Sequence, residues 1–373
     1  MASALEIDGR PESDIPPIVE THLGITQDDA GRPMFQGAVF NSEKRDHVRG
    51  ILARYMRVPA RRRAEYRTQL PAPMPGNVAH ANLDVCFKDG IPIVSPKADG
   101  TLYALLITTM GDTTLMAFVD RSLKTHVAVA DIPTYLRKGT LMFGELVTLT
   151  SHGEDAVDRR QVFLIFDIAV HAGTNLTGKC YPERLHMAQR VLMEWPVSRR
   201  MVPLRIEPGA PEIQRTVDLR IKPIGMMQTD EFPTDGVILV HPRQNLTAGR
   251  QHRLWRIKER DTADLLWDPT AGIWCITSAQ SLIALPEFVH VDVEGATELL
   301  RAKLTGSTSP IVVECLVTRH RPNKKKRVSL RCLPHVIRID KTRPNDLSTI
   351  NELRHESPSM SDLYARLEQL TST

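Results

Sequence analysis

The feature that most constrains the fold is a lysine followed by an acid and a glycine, Lys97-Ala98-Asp99-Gly100, between two runs patterned like β-strands. The residues before it, from Val85 to Val94, and those after it, from Leu102 to Thr108, are alternating or apolar, as strands are. Strands on both sides hold a lysine in a fixed position. Its amine is nucleophilic when neutral, and burial or nearby cations favour the neutral form. Taken alone, the tetrapeptide also fits an ordinary surface turn.

The composition limits the class of protein. A chain of 373 residues with 42% hydrophobic and 25% charged residues predicts a globular protein of two domains. Its five cysteines include no C-x-x-C pair, which argues against a zinc site and a disulfide framework and predicts a reducing, intracellular compartment. The N-terminus has acids and no apolar run, so we expect no secretion signal, and no apolar stretch approaches transmembrane length.

Local charge is more informative than the formal net charge of +4. The segment Arg319–Arg331 holds eight basic residues, counting His320, and no acid. Arg61, Arg62 and Arg63 form a second cluster. Such clusters neutralise phosphates in nucleic-acid-binding proteins, but they also occur in solvated loops and nuclear addresses, so both readings stay open.

Two acids stand out among the strands expected between residues 70 and 170. Glu145 lies in the run Thr140–Thr150, and Asp167 lies in Gln161–Val170; each is the single acid of an apolar strand. A buried carboxylate is unfavourable unless it is paired or binds a metal. One such acid indicates a structural group, whereas two acids and the lysine indicate a site.

Further along the chain, Asp235-Gly236 forms a turn that leads into an apolar strand ending at Val240. Arg256 and Lys258 follow on one face of the strand His252–Arg260, two residues apart. We expect helices over Ser42–Val58, Pro182–Trp195 and residues 351–373. Beyond residue 262 short strands recur at intervals that suit a small antiparallel barrel.

Six short motifs occur in one order: K-x-D-G at 97–100, G-E-L-V at 144–147, F-D at 166–167, D-G-V-I-L at 235–239, R-I-K at 256–258 and R-I-D-K at 338–341. This ordered set resembles the covalent nucleotidyltransferase superfamily, which comprises ATP- and NAD-dependent DNA ligases, RNA ligases and mRNA capping guanylyltransferases. Each motif alone is a weak signal, whereas six in the family's order form a specific pattern.

Within the superfamily the chain most resembles capping guanylyltransferases, because its last motif extends to R-x-D-K-x-x-P-N, ending at Asn345. The segments Ile311–Leu316 and Met74–Val78 also look like segments of those enzymes. The resemblance implies an α+β fold, with a nucleotidyltransferase (ATP-grasp-like ligase/capping) domain of antiparallel sheets with flanking helices, followed by a C-terminal OB-fold barrel. We expect an N-terminal extension over 1–70, the nucleotidyltransferase domain over 71–262, the OB-fold domain over 263–350 and a helical tail over 351–373.

Two positions depart from the family's pattern. Leu102 stands where these enzymes usually carry a ribose-binding arginine, and Arg256 stands where lysine is usual. The poxvirus-like branch of large DNA viruses also lacks the first arginine. The resemblance therefore implies a viral protein that acts in the host cytoplasm, the virion or the nucleus.

The resemblance also implies roles for particular residues. Lys97 attacks GTP and keeps the GMP, Arg256 and Lys258 assist it, and the 5′-diphosphate end of RNA then accepts the GMP. Asp235 and Glu145 are the expected ligands of Mg²⁺ or Mn²⁺. The expected nucleotide-binding residues are Asp99, Gly100, Glu145, Phe166, Lys222, Arg338, Asp340 and Lys341, and the expected RNA-binding residues are Lys324, Lys325, Lys326 and Arg327. The expected partners are GTP, 5′-diphosphate RNA and separate RNA triphosphatase and cap methyltransferase proteins, with no membrane.

Two alternatives remain open. An ATP-dependent DNA or RNA ligase shares the lysine chemistry and differs in the nucleotide and the acceptor. A catalytically inactive RNA-binding subunit of a capping complex would share the fold without the chemistry. The last motif ends at Asn345, which disfavours a ligase. The chain retains the charged motif residues, which disfavours an inactive subunit.

Overall fold

The computed structural model describes most of the chain in fourteen stretches. They are residues 24–27, 32–36, 42–78, 80–110, 113–128, 132–149, 161–194, 220–223, 232–258, 260–279, 281–321, 328–338, 341–355 and 358–371. No helix in these stretches is both long and apolar enough to cross a membrane.

Strands dominate the described residues. The first eleven strands are β1 (Gly24–Gln27), β2 (Pro33–Gln36), β3 (Pro73–Asn77), β4 (Ile93–Ala98), β5 (Thr101–Met110), β6 (Thr113–Asp120), β7 (Thr125–Ala128), β8 (Thr140–Thr148), β9 (Gln161–His171), β10 (Thr174–Asn175) and β11 (Arg220–Pro223). The other eight are β12 (Thr234–Val240), β13 (Gly249–Ile257), β14 (Thr262–Asp268), β15 (Ile273–Ser278), β16 (Ser281–Ala284), β17 (Val289–Val291), β18 (Ile311–His320) and β19 (Ser329–Ile337). The α-helices are α1 (Ser42–Tyr55), α2 (Tyr181–Glu194), α3 (Glu298–Gly306), α4 (Leu347–Glu352) and α5 (Met360–Thr371), and the 3₁₀ helices are Ala60–Arg67, His80–Cys86 and Thr134–Lys138.

A seven-stranded sheet forms the centre of the first half. Its order is β10-β9-β8-β5-β6-β7, with β11 parallel to β9 and the other pairs antiparallel. Both faces are covered: Leu102 and Leu106 belong to one buried cluster, and Tyr103 and Leu105 belong to another. Burial on both faces explains why these strands are almost continuously apolar.

A four-stranded sheet of order β3-β13-β12-β4 lies beside it. The chain passes from this sheet into the larger one at Asp99 and Gly100, since β4 belongs to the smaller sheet and β5 to the larger. The turn between them is therefore the junction of the two sheets, and Lys97 lies at the end of β4 beside it.

The last sheet has six strands in the order β16-β15-β14-β18-β19-β17. The strand that comes first in the sequence, β14, pairs with both β15 and β18. Strand β17 precedes the helix α3 and pairs in parallel with the last strand, β19. These pairings agree with the expected OB-fold barrel, and the α+β fold class is confirmed. The last of the recurring strands, β19, is continuous from Ser329 to Ile337.

The outer helices join the cores of the sheets. Val48, Ile51 and Leu52 of α1 share a buried cluster with Leu102 and Leu106, so residues before position 70 contribute to the core of the first half. At the other end, the expected terminal helix over 351–373 is shorter, since the described helix α5 begins at Met360. Its Leu363 is fully buried in a cluster with residues of β12 and β13.

Candidate active site

Lys97 is held where the two sheets meet. Its neighbour Asp99 donates its backbone N–H to the carbonyl oxygen of Pro233, which precedes β12. Gly100 packs against the backbone of β8, and a Cβ at this position would collide with the carbonyl oxygen of Leu146. Close packing between β5 and β8 therefore requires the glycine of K-x-D-G. This packing keeps Lys97 beside the turn that joins the two sheets.

A bulge places Asp235 opposite the lysine. The pairing of β12 with β4 is regular except between Thr234 and Val237, so Asp235 and Gly236 form the irregularity beside Ala98. Gly236 has φ +107°, in the left-handed region that favours glycine. A bulge changes the direction of side chains locally, and here it directs the Asp235 carboxylate toward Lys97.

Three charged side chains meet at this point. Lys97 Nζ donates to Asp235 Oδ2 at 2.8 Å, and Lys258 Nζ lies 3.2 Å from the same oxygen. Burial opposes ionisation of Asp235, but the two lysines outweigh it and hold its pKa below the ordinary value. The pKa of Lys258 is lowered, mainly by burial and to a smaller extent by repulsion from Lys97. The arrangement is an ionised carboxylate between two partly buried amines.

The R-I-K pair of β13 supplies two cations to the same wall. Arg256 and Lys258 lie two residues apart and therefore on the same face, as expected, and both line the cleft. Arg256 Nε donates to Asn77 Oδ1 of β3 at 2.6 Å, and Lys258 Nζ donates to Thr262 Oγ1 at 2.8 Å. These bonds fix the positions of both cations before any ligand is present.

Glu145 reaches the cleft from the larger sheet, where β8 pairs it with Leu102 of β5. Its Oε2 is buried and accepts no hydrogen bond from the described residues. Burial raises the pKa of this carboxyl, against the opposing effects of Lys97 and Arg121. A buried carboxylate oxygen without a donor is a position that a cation would satisfy.

Phe166 and Asp167 follow each other on β9 and have different environments. The Phe166 ring is half-buried and lines the cleft, as a residue that stacks on a base would. Asp167 is buried and accepts two hydrogen bonds from Arg184 of α2, at 2.7 and 3.0 Å. Arg184 also donates to the carbonyl oxygens of Lys179 and Gln244. Asp167 is therefore a paired structural acid, and its partner Arg184 connects α2 to the loop after β12.

These side chains surround a single cleft of about 600 Å³ that is lined by both halves of the chain. From the first half it receives the residues described above, together with Asp99, Arg121 and the apolar side chains of Ile238, Val240 and Leu254. From the second half it receives Asp264, Glu314, Arg338 and Lys341. A cleft of this size, with an aromatic and aliphatic wall and several convergent charges, suits a nucleotide.

The two cations of the last motif are held by acids of their own barrel. Arg338 Nη1 lies 2.6 Å from Glu314 Oε2 of β18, and Lys341 Nζ donates to Asp264 Oδ2 of β14. Burial alone would raise the pKa of Asp264, but Lys341 and Arg338 hold it at about 2. Asn345 completes the network, since its Oδ1 accepts the backbone N–H of Asp264 at 2.8 Å. Arg338 and Lys341 must exchange these carboxylates for phosphates if they bind a nucleotide.

Most of the residues expected at the site lie in this cleft. The described ones are Lys97, Asp99, Gly100, Glu145, Phe166, Asp235, Arg256, Lys258, Arg338 and Lys341. Lys222 lies on β11 opposite Leu164 of β9, and its side chain is outside the described part of the structure. Asp340 and Lys324–Arg327 also lie outside the described residues.

Sequence reasoning missed several charged residues of the cleft, among them Asp264 and Arg121. Asp264 is the single acid of the apolar run Ala263–Trp267, so the rule that selected Glu145 also fits it. Arg121 follows β6 in a turn whose N–H groups are held by the Asp120 carboxylate, and no pattern in the chain distinguishes it from other arginines. Its effect on the pKa values of Glu145 and Asp264 places it electrostatically among the site residues.

Comparison with known proteins gives one family match. A family model described as mRNA capping enzyme, catalytic domain, matches residues 42–260. A search of curated proteins gives no match. Among solved structures, a mycobacterial DNA ligase D complexed with ATP is 15% identical, with 73% of this chain and 95% of that chain covered and a TM-score of 0.35. The ATP-dependent DNA ligase of bacteriophage T7, in complex with ATP, is 12% identical, with 72% and 98% covered and a TM-score of 0.34.

Proposed function

Because the chain belongs to the mRNA capping enzyme catalytic-domain family, whose chemistry is covalent nucleotidyl transfer, we propose that it is an mRNA guanylyltransferase. It forms a covalent lysyl-GMP intermediate from GTP and passes the GMP to the 5′-diphosphate end of RNA. The observation that carries this proposal is the placement of Lys97 beside Asp235 and Lys258 in a cleft of nucleotide size.

In the first step Lys97 Nζ attacks the α-phosphorus of GTP. A P–N bond forms, the bond from the α-phosphorus to the oxygen that bridges to the β-phosphorus breaks, and pyrophosphate leaves with that electron pair. The ammonium must first leave Asp235 and release a proton to solvent, since it has no lone pair, and a second N–H proton leaves to solvent as the P–N bond forms. Lys258 and Arg256 lie on the wall beside it and stabilise the negative charge that develops on the α-phosphate.

In the second step a terminal oxygen of the RNA 5′-diphosphate attacks the same phosphorus. The P–N bond breaks, Lys97 recovers its electron pair and a proton, and the product is a GpppN cap. Phe166 stacks on the guanine, with Ile238, Val240 and Leu254 lining the same cleft. Lys222, Asp340 and the RNA-binding run Lys324–Arg327 remain proposed contacts on the strength of the resemblance.

The proposed cofactor is Mg²⁺ or Mn²⁺, held by Asp235 and Glu145. The buried Glu145 Oε2 without a hydrogen-bond donor fits this role. Within the described residues no cluster of three or more potential protein ligands occurs, so phosphate oxygens of the substrate would complete the coordination, as is usual for Mg²⁺. When bound, the ion would neutralise charge on the phosphate oxygens.

Incubation with α-labelled GTP or ATP and Mg²⁺, followed by a denaturing gel, tests this function. We expect a labelled protein band with GTP. A band with ATP alone would favour the ligase alternative, and the absence of any band would favour the inactive RNA-binding subunit. The same assay with purified 5′-diphosphate RNA should move the label from the protein to the RNA. Separate triphosphatase and methyltransferase partners and a viral source stay part of the proposal.

A further inference from the structure

The region before the cleft is strongly basic. Residues 48–83 contain seven arginines and one acid, Glu65. Arg61, Arg63 and Arg67, here called the arginine face, are exposed on the 3₁₀ helix Ala60–Arg67. No ion pair joins any of these three to an acid in the part of the chain that the structure describes. Glu65 instead pairs with Arg62 at 3.0 Å. No acid of the described residues therefore neutralises the charge of the arginine face.

This charge is concentrated on one short segment. Its helical geometry is interrupted at Tyr66 (φ −101°, ψ 19°), so Arg61 and Arg63 precede a kink and Arg67 follows it. All three arginines are exposed. Several exposed guanidinium groups along one segment match a chain of phosphates better than a single point charge does.

The segment that carries the arginine face is anchored in the protein core. Tyr66 is buried in the core that α1 shares with the larger sheet, and its hydroxyl accepts a hydrogen bond from Arg62 at 2.8 Å. Both side chains pack against Gly249 at the start of β13, where a Cβ would lie 2.7 Å from the Tyr66 hydroxyl. The arginine face therefore sits on fixed backbone.

The same segment leads directly into the cleft. Gln69 and Leu70 line it, two and three residues after Arg67, and the Leu70 N–H donates to the carbonyl oxygen of Arg121. Two residues of extended chain span at most about 7 Å, so Arg67 stands at the rim. Arg250, which follows Gly249, lines the cleft on the same side.

We propose that the arginine face is a docking surface for the phosphates of single-stranded RNA whose 5′ end enters the cleft. This inference rests on the proposed function, because it takes RNA as the acceptor. It assigns binding to residues other than Lys324–Arg327. A sequence-independent surface of this kind positions the acceptor without selecting its bases.

The test replaces Arg61, Arg63 and Arg67 together with glutamine, which keeps the length of the side chains and removes their charge. The matched control replaces Lys88, Arg301 and Lys303 with glutamine; these residues are also exposed and lie outside the cleft lining. Binding of a short 5′-diphosphate RNA is measured without nucleotide over a range of salt concentrations, and thermal unfolding checks that each variant is folded. We expect weaker binding by the first variant and a plot of log affinity against log salt that is flatter by about 2 units, since each phosphate contact on a single strand contributes roughly 0.7.

An unchanged slope, or an equal loss in the control variant, would overturn the proposal. So would a loss of affinity for nicked duplex DNA with no loss for RNA. Because the assay contains no nucleotide, its result is independent of whether the wild-type protein takes GTP or ATP, so failure of this inference and failure of the proposed function remain distinguishable.

Discussion

Lys97 and Asp235 form an ion pair, with Nζ and Oδ2 2.8 Å apart, across two adjacent strands of the smaller sheet. The residues are 138 positions apart in the sequence, and the bulge in β12 brings the carboxylate to the amine. The pair holds the lysine in position, and an ammonium in such a pair has no lone pair for attack. The proposed reaction therefore begins with the separation of this pair.

The first prediction concerns Asp235→Asn, which preserves shape and removes the charge. We expect adduct formation with GTP to fall at least about 100-fold, because the carboxylate is a proposed metal ligand and the counter-ion of two amines. Asp89→Asn is the control, since Asp89 forms an exposed ion pair with Arg253. Single-turnover labelling measures both, and near wild-type labelling by Asp235→Asn would remove this residue from the mechanism.

The second prediction separates the two chemical steps through Arg338. If Arg338 leaves Glu314 to bind the departing pyrophosphate, Arg338→Ala should weaken adduct formation by roughly 2–5 kcal/mol of transition-state stabilisation. The same variant, loaded slowly with GMP at high GTP and then desalted, should pass GMP to RNA at nearly the wild-type rate, because the pyrophosphate has gone. An equal loss in both half-reactions would show that Arg338 is structural or acts on the RNA end.

The third prediction concerns the buried pair of Asp167 and Arg184. Removing one partner leaves an unpaired charge in the core, so Arg184→Ala should lower the free energy of unfolding by about 3–5 kcal/mol. The double variant Arg184→Ala with Asp167→Ala should lose less than the sum of the two single variants. Urea unfolding of all four proteins measures this coupling, and simple additivity would contradict the pairing.

The fourth prediction is a pH dependence of stability from His126. Burial, with repulsion from Lys124, lowers its pKa from 6.5 to about 4 in the folded state. The unfolded chain therefore binds the proton more readily between these values, and stability falls as pH drops from 6.5 toward 4. Between pH 7 and pH 5 the contribution is about 2 kcal/mol. His126→Phe should lose less stability than the wild type over this interval in urea unfolding, and an identical loss would contradict the assignment.

The sequence predicted local elements and the ordered motifs well, since both depend on short patterns. Lys97, Asp235, Arg256 and Lys258 carry such patterns, and the structure brings all four into one cleft. What short patterns do not contain is the partner of a charge. Asp167 has the same sequence signature as Glu145, yet Arg184 pairs with the first and no described donor reaches Oε2 of the second.

The second half shows the same limit. Arg338 and Lys341 were expected to face phosphates, but strand pairing places Glu314 and Asp264 beside them. This competition arises from the register of β14, β18 and β19, which is a property of the folded sheet. Likewise, nothing in the segment Met360–Thr371 alone predicts that Leu363 packs against β12 and β13.

The central claim is that Lys97 carries the GMP, and mapping the adduct tests it most directly. The protein is incubated with GTP and Mg²⁺ and digested, and mass spectrometry locates the added GMP. Lys97→Ala and Lys97→Arg are treated in parallel, with Lys88→Ala as the exposed lysine control. We predict GMP on the peptide containing Lys97 in the wild type and the control, and none in either Lys97 variant, because a guanidinium does not lose its proton at accessible pH. A GMP adduct in either Lys97 variant, or on another residue of the wild type, would contradict the account.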